Sequence, residues 1–142
     1  MLVTPLGHPL GGRTGIAREA LRELNPLLLD EGHCLRDQAL DICREAVRED
    51  VAVTTTAAGL ATLVQLVAGG LGCTLLPHTA VRVETSRSEQ LLTGFFAEPA
   101  PSRRVALAPR AGAARGAEYR ELAAALREAL RSLPVRVLGA GA

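Results

Sequence analysis

The sequence lacks several features that mark common classes of protein. It has no lysine and no tryptophan, only 2% of its residues are aromatic, and its sixteen basic residues are arginines scattered without a run of like charge. With a formal net charge of +1, the chain offers no electrostatic footprint for nucleic acid or for an anionic membrane. We therefore expect this chain alone to bind DNA poorly.

Long apolar runs are also missing. No stretch approaches the ~18 residues that a membrane span needs, and the start of the chain lacks the charged and apolar regions of a signal peptide. We therefore expect a cytoplasmic protein without a membrane partner. The chain has three cysteines, and an odd number without an export signal argues against a secreted disulfide framework.

Apolar residues are otherwise plentiful and recur at the spacings of helices and strands. The 142 residues, 48% of them hydrophobic, suffice for one globular domain or for two small lobes. The patterns predict helices over 15–24, 34–50, 57–70 and 117–133, and strands over 26–30, 51–56, 71–77, 91–99 and 103–109. Residues 4–12 read as a connecting segment without a strong strand before them. This alternation predicts an α/β architecture with a largely parallel sheet.

The stretch "EGHCLRDQALDIC", Glu31 to Cys43, places two cysteines nine residues apart in one predicted helix. Nine residues of α-helix separate Cys34 and Cys43 by ~13.5 Å along the axis and by about half a turn around it. A disulfide needs Cα atoms within ~4.4–6.8 Å of each other. These two thiols can therefore pair only if the helix unwinds.

The environment of each cysteine allows two interpretations. Cys34 lies where the helix begins, so unpaired N–H groups and the helix dipole favour its thiolate. His33 is its neighbour, and Asp37 and Gln38 lie on the same face of the helix. Cys34 is thus either an activated, reachable thiol or simply the first residue of a helix. Cys43 falls on the apolar stripe, where a cysteine usually acts as a small buried hydrophobe.

A metal site is poorly supported by the sequence. His33, Cys34, Cys43 and Cys73 offer four soft ligands, but no C-x₂₋₄-C pair is present, and adjacent His and Cys rarely reach one tetrahedral ion. The sequence also lacks a phosphate-binding loop of known type and a G-x-S-x-G elbow. We predict neither a metal nor a cofactor.

One segment carries a specific resemblance. "GHCLRDQALDIC", residues 32–43, closely resembles the peroxide-sensing segment of the OxyR-like, hydrogen-peroxide-responsive LysR-type transcription regulators, including the cysteine spacing. "GHPL", "LVQLVAGGLGCTLLP" and "PSRRVALAPR" resemble successive parts of the LysR-type effector domain, in the same order. The pattern "VAGG-G-TLLP" within the second of these stretches is general to LysR-type proteins. The cysteine segment instead points to the peroxide-responsive group.

The resemblance implies a fold and its division into parts. It implies an α/β, periplasmic-binding-protein-like (type 2) effector domain, whose second lobe comprises residues 1–104 with the redox segment at 32–43. Residues 105–142 would be the returning strand and C-terminal helix of the first lobe. The winged helix-turn-helix and linker helix with which such regulators begin have no counterpart in this sequence.

The resemblance also implies roles for individual residues. Cys34 matches the cysteine that peroxide oxidises to a sulfenic acid, and Cys43 matches the one that then forms the disulfide. His33, Asp37 and Arg104 match polar residues that line the peroxide pocket. The family uses no catalytic residue in the enzymatic sense, and its disulfide is reduced by a glutaredoxin- or thioredoxin-type protein. Cys73 lies where such proteins more often carry an aliphatic residue, so we expect it to be buried and inert.

Two alternatives stand beside a peroxide sensor. One is a LysR-type effector domain that binds a small organic ligand between lobes, with both cysteines incidental. The other is a thiol peroxidase, for which the sequence offers no further support. A sensor reacts once with peroxide and stops, a peroxidase turns over when a reductant is present, and a ligand-binding domain does not respond. If the chain is part of a peroxide sensor, we expect the full-length parent protein to form the homo-oligomer and to bind DNA.

The charge balance yields the first prediction. Since the net charge is +1 and a recognition helix is missing, both the electrostatic and the base-reading contributions to DNA affinity are weak. In a gel-shift assay, any retention of DNA by this chain should disappear at moderate salt. Salt-resistant retention that selects one operator sequence over a scrambled one would contradict the prediction.

Overall fold

The computed structural model describes residues 1–47, 55–86 and 88–138. Most of the predicted strand 51–56 and the last three residues of the predicted helix 34–50 lie outside these ranges. The contacts divide the chain into two units, Met1–Ser102 and Arg103–Ala142.

Short strands and helices alternate along the first unit. The strands are β1 (Leu2–Pro5), β2 (Leu28–Leu29), β3 (Thr56–Ala57), β4 (Thr74–Leu75) and β5 (Leu91–Gly94). The helices are α1 (Cys34–Val47), α2 (Leu60–Ala68) and α3 (His78–Thr85), and a 3-10 helix spans Arg18–Glu23. Within the described residues, the element types predicted from 15 to 99 are confirmed. The sequence patterns did not predict α3, which is only eight residues long and begins directly after Pro77.

The strand β1 lies at the centre of the main sheet, which has the order β4-β1-β5. It runs antiparallel to both neighbours, whereas β2 and β3 form a separate parallel pair. The prediction of a largely parallel sheet is therefore wrong for the three-stranded sheet. Leu2, Val3 and Thr4 of β1 are buried, so the expectation that no strong strand opens the chain is wrong, whereas residues 6–12 form neither helix nor strand and connect as predicted. A strand of four residues whose first three are all buried shows no alternation of apolar and polar residues that sequence reasoning could detect.

The main core forms where α2 packs against the strands. Leu63, Val64 and Val67 recur at helical spacing on α2 and are buried, together with Val3 and Leu27. This spacing gives α2 one apolar face, which the sheet covers.

A pair of backbone hydrogen bonds ties two parts of the first unit together. The Cys73 N–H donates to the Asn25 carbonyl at 3.0 Å, and the Leu27 N–H donates to the Cys73 carbonyl at 2.8 Å. They fix Cys73 beside the segment that leads into β2.

Within residues 103–138, the second unit contains one helix, α4 (Gly116–Leu130), as predicted. None of the residues in α4 is buried. Residues 103–109 form neither helix nor strand, and Val105 is 81% exposed. The strand predicted there is thus not formed, because a strand requires a neighbouring strand and no described residue pairs with this segment. The assignment of residues 105–142 to a first lobe stays a prediction. None of the helices in the described ranges is long and apolar enough to cross a membrane.

The close approach at Gly72 yields a prediction on stability. A Cβ at Gly72 would lie 2.4 Å from the Asn25 carbonyl oxygen, which is held in place by the Cys73 N–H. We expect Gly72→Ala to lower the free energy of unfolding by about 1–3 kcal/mol, as overpacking does, in chemical denaturation. Gly116→Ala is the control, since its Cβ would meet only the end of the Arg120 side chain at 3.7 Å. Equal stability of both variants and the wild type would contradict this prediction.

Candidate redox site

The junction between β2 and α1 places Cys34 at the start of a helix. After β2, the Asp30 N–H donates to the Ala57 carbonyl at 2.9 Å, and the chain then turns at Gly32. Gly32 has φ +90, a conformation that residues with a Cβ rarely adopt. α1 begins at Cys34, as the sequence predicted. The Cys34 N–H is therefore among the first N–H groups of the helix, which have no partner inside it.

The two cysteines occupy different environments on α1. Cys34 is exposed, as are His33 and Asp37. Cys43 is 2% exposed, and Ala39 on the same side of the helix is buried as well. The prediction that Cys43 lies on the apolar stripe and Cys34 off it is confirmed. α1 therefore begins with exposed residues, and its second half carries a buried stripe that includes Cys43 and Ala46.

Both cysteines of α1 carry free thiols. The helix between them is continuous, so Cys34 and Cys43 lie ~13.5 Å apart along its axis. This separation is about twice the Cα distance that a disulfide allows. A bond between these two sulfurs therefore requires that helical structure between them be lost.

The Cys43 side chain lines a small cavity that also includes Cys73. The remaining lining is largely apolar and comprises Leu2, Leu21, Leu24, Pro26, Leu27, Leu28, Thr74 and Leu75. Burial raises the pKa of the Cys43 thiol, and it raises the pKa of Cys73 to about 11. Because the thiolate is the nucleophile, both buried thiols are kept in their unreactive form at neutral pH.

Polar groups in the first half of α1 are incompletely paired. The Arg36 side chain is 17% exposed and its Nη2 lies 4.0 Å from Glu31 Oε1. Arg36 Nε and Gln38 Oε1 are buried and have no hydrogen-bond partner among the residues that the structure describes. These two atoms therefore add no hydrogen bond that would hold the beginning of α1. Sequence reasoning noted Gln38 beside Cys34 but missed Arg36.

The other end of α1 is held by two arginines of the 3-10 helix. Arg22 Nε donates to the Ala46 carbonyl at 2.6 Å. Arg18 Nη1 lies 3.2 Å from Glu45 Oε2, and Arg18 Nη2 donates to the Pro99 carbonyl at 2.7 Å. Sequence reasoning missed these contacts. The available signal was the spacing of Arg18 and Arg22, which lie four residues apart on a segment predicted to be helical.

The predicted pocket residues fall in both units. His33 and Asp37 lie within three residues of Cys34 in the first unit, and both are exposed. Arg104 is exposed and belongs to the second unit. The grouping of Arg104 with Cys34 in one pocket stays a prediction. Across 1–47, 55–86 and 88–138, no three His, Cys, Asp or Glu residues form a group that could hold a metal ion.

Comparison with protein families assigns the fold. Residues 1–131 match the model of the LysR substrate-binding domain. The chain belongs to this family. The predicted periplasmic-binding-protein-like, α/β effector domain is thereby confirmed as the fold class.

Individual relatives carry names that refer to peroxide. The chain is 78% identical over 138 residues to a probable hydrogen peroxide-inducible genes activator from Streptomyces viridosporus, covering 97% of this chain and 44% of that protein. A second activator of that name, from Mycobacterium avium, is 53% identical over 133 residues, which cover 93% and 42% of the two chains. A peroxide-bound mutant of Corynebacterium glutamicum OxyR superposes with a TM-score of 0.80 at 38% identity, over 91% of this chain and 41% of that one. The chain thus spans less than half the length of these proteins.

The burial of Cys73 yields a prediction on pH dependence. Burial raises its pKa from the ordinary value of 9.0 to about 11 in the folded chain, so between these pH values the folded state holds a proton that the unfolded state has released. Folding stability should therefore fall as the pH rises from about 9 to about 11, by up to ~2 kcal/mol from this group. Cys73→Val should lose less stability over this range in denaturant titrations at pH 8 and pH 10.5. An equal loss in both proteins would contradict the assignment.

Proposed function

We propose that this chain is the peroxide-sensing part of a LysR-type transcription regulator. Hydrogen peroxide oxidises Cys34, and Cys43 then forms a disulfide with it that changes the conformation of α1. The observation that carries the proposal is the placement of the two thiols: one helix holds an exposed thiol at its start and a buried thiol too distant to pair with it. Such a helix converts oxidation into a change of shape.

The names of the relatives support the same reading. Two of them are probable hydrogen peroxide-inducible genes activators, and a similar structure contains bound hydrogen peroxide. Since this chain spans less than half of those proteins, DNA binding and homo-oligomer formation are proposed for a full-length parent. A glutaredoxin- or thioredoxin-type dithiol is the proposed reductant.

The proposed chemistry proceeds in two steps. The Cys34 thiolate attacks one oxygen of peroxide, the O–O bond breaks, and the departing hydroxide takes a proton to become water, which leaves a sulfenic acid on Cys34. The Cys43 thiolate then attacks the Cys34 sulfur, the S–S bond forms, and the sulfenic hydroxyl leaves as a second water. Two thiols and one peroxide thus give one disulfide and two waters. We assign His33, Asp37 and Arg104 to the polar surroundings of the first step.

Burial couples the second step to the unwinding of α1. While Cys43 lines its cavity, its raised pKa disfavours the thiolate that must attack. Once the surrounding turn opens, the sulfur enters water, the penalty of burial is lost, and the thiol ionises more readily. The same movement brings Cys43 within reach of Cys34. Opening of the turn around Cys43 therefore both brings the two sulfur atoms together and favours the Cys43 thiolate that attacks.

The proposal predicts which thiols react and in what order. Equimolar peroxide should give one Cys34–Cys43 disulfide, with partial loss of the helical circular dichroism signal, and peptide mapping identifies the bond. Cys34→Ser should abolish oxidation at low peroxide, because the exposed thiol is gone. Cys43→Ser should leave a sulfenic acid on Cys34 that dimedone labels. Cys73→Ser is the control and should change neither result.

Several outcomes would overturn the proposal. Modification of Cys43 or Cys73 before Cys34 would contradict the assigned order, as would a Cys43–Cys73 bond as the first product. Repeated turnover of peroxide in the presence of a dithiol reductant would favour a peroxidase. Cys34 and Cys43 that both stay alkylatable at excess peroxide would favour the domain that binds a small organic ligand.

A further inference from the structure

The last turn of α1 is anchored by a side chain that the proposed chemistry does not use. We propose that Arg22 is a positioning residue: it holds the end of α1 against the 3-10 helix and thereby limits the release of Cys43 from its cavity. The consequence for peroxide sensing rests on the proposed function. The restraint itself is a property of the reduced chain and can be measured without peroxide.

The hydrogen bond from Arg22 joins a charged side chain to the backbone of α1. The Ala46 carbonyl, one residue before Val47, accepts from Arg22 Nε at 2.6 Å. A charged donor makes this bond stronger than one between neutral groups. Arg22 therefore stabilises the turn of α1 that contains Ala46.

That turn is the one that carries Cys43. Ala46 follows Cys43 by three residues, so both lie on the same face of the helix, and both are buried. Leu21, beside Arg22 in the chain, lines the cavity that contains Cys43. The 3-10 helix thus provides both a wall of the cavity and the hydrogen bond that keeps α1 against it.

Arg18 contributes less to this restraint. Its ion pair with Glu45 joins side chains that are 33% and 67% exposed, and exposed pairs of this kind stabilise little because water screens them. Its hydrogen bond to the Pro99 carbonyl links the 3-10 helix to the segment after β5 and makes no contact with α1. We therefore assign the restraint on α1 to Arg22.

The two ends of α1 consequently differ in how they are held. Among the residues that the structure describes, the first half has two buried polar atoms without hydrogen-bond partners, Arg36 Nε and Gln38 Oε1, and its first residue is exposed. The second half carries the buried Cys43 and Ala46 and is anchored by Arg22. Attack of peroxide at Cys34 leaves the anchor intact, whereas release of Cys43 has to break it. Arg22 should therefore control disulfide closure and leave the first oxidation unchanged.

The direct test measures how often Cys43 becomes accessible in the reduced chain. Iodoacetamide labelling of Cys43, followed by peptide mapping, should be about tenfold faster in Arg22→Met, which keeps the apolar stem and removes the charged donor. Arg22→Lys restores a positive donor and should label closer to the wild-type rate. Arg82→Met removes an exposed arginine of α3 and should label at the wild-type rate.

A second measurement separates local release from general destabilisation. Amide hydrogen exchange in α2, which belongs to the main core, reports opening of the whole unit. Faster Cys43 labelling in Arg22→Met with unchanged exchange in α2 supports the proposal. Equal acceleration of both, or unchanged labelling of Cys43, overturns it.

The peroxide reaction tests the consequence. In Arg22→Met the Cys34–Cys43 bond should close faster once Cys34 is oxidised, by about the factor seen in labelling, while dimedone labelling in a Cys43→Ser background should proceed at an unchanged rate. If the wild type forms no disulfide but Cys43 labelling responds to Arg22→Met, the sensor proposal fails and the positioning role stands. If the disulfide forms but neither Cys43 labelling nor closure responds to Arg22→Met, the positioning role fails and the sensor stands.

Discussion

The continuous backbone hydrogen bonding of α1 is the constraint on which the rest of the site depends. A continuous helix fixes the distance between Cys34 and Cys43 through the rise per residue alone, whatever the side chains between them. In the proposed sensor, the thiols thus cannot respond to oxidant by pairing unless secondary structure is lost. The chemistry of two sulfur atoms is thereby made inseparable from the stability of fourteen residues of helix.

The helix also divides its tasks between its two ends. At Cys34 the chain offers solvent access and unpaired N–H groups, which suit a nucleophile that must meet a small polar oxidant. At Cys43 it offers an apolar cavity that disfavours ionisation. A single cysteine in the exposed setting would react, and a single cysteine in the buried setting would stay inert. Neither alone would change the conformation of the helix. In the proposed reaction, the contrast between the two settings determines which thiol reacts first.

Sequence patterns correctly predicted that α1 begins at Cys34. A glycine turn, an apolar stripe and a polar face all indicated a helix that starts there. They did not predict β1, since a short strand whose first three residues are all buried has no alternation, or α3, which is only two turns long. The strand predicted at 103–109 was not formed, because its residues had the composition of a strand but no neighbour to pair with among the residues that the structure describes. The contacts of Arg18 and Arg22 depend on how two helices meet, which local patterns do not record. For the same reason the sequence could place Gln38 on the face of Cys34 but could not show that its oxygen is buried without a hydrogen-bond partner in the described part of the chain.

The cavity that holds Cys43 also bears on how the proposed switch is reset. While the disulfide exists, the cavity has lost one of the side chains that filled it, and an unfilled apolar space costs the fold free energy. Reduction frees the sulfur to return, and its return recovers that free energy together with the helical hydrogen bonds. In the proposed switch, packing and the helical hydrogen bonds together therefore favour the return of the chain to its starting shape. The reductant has only to deliver two electrons, and it needs no shape complementary to the refolded helix.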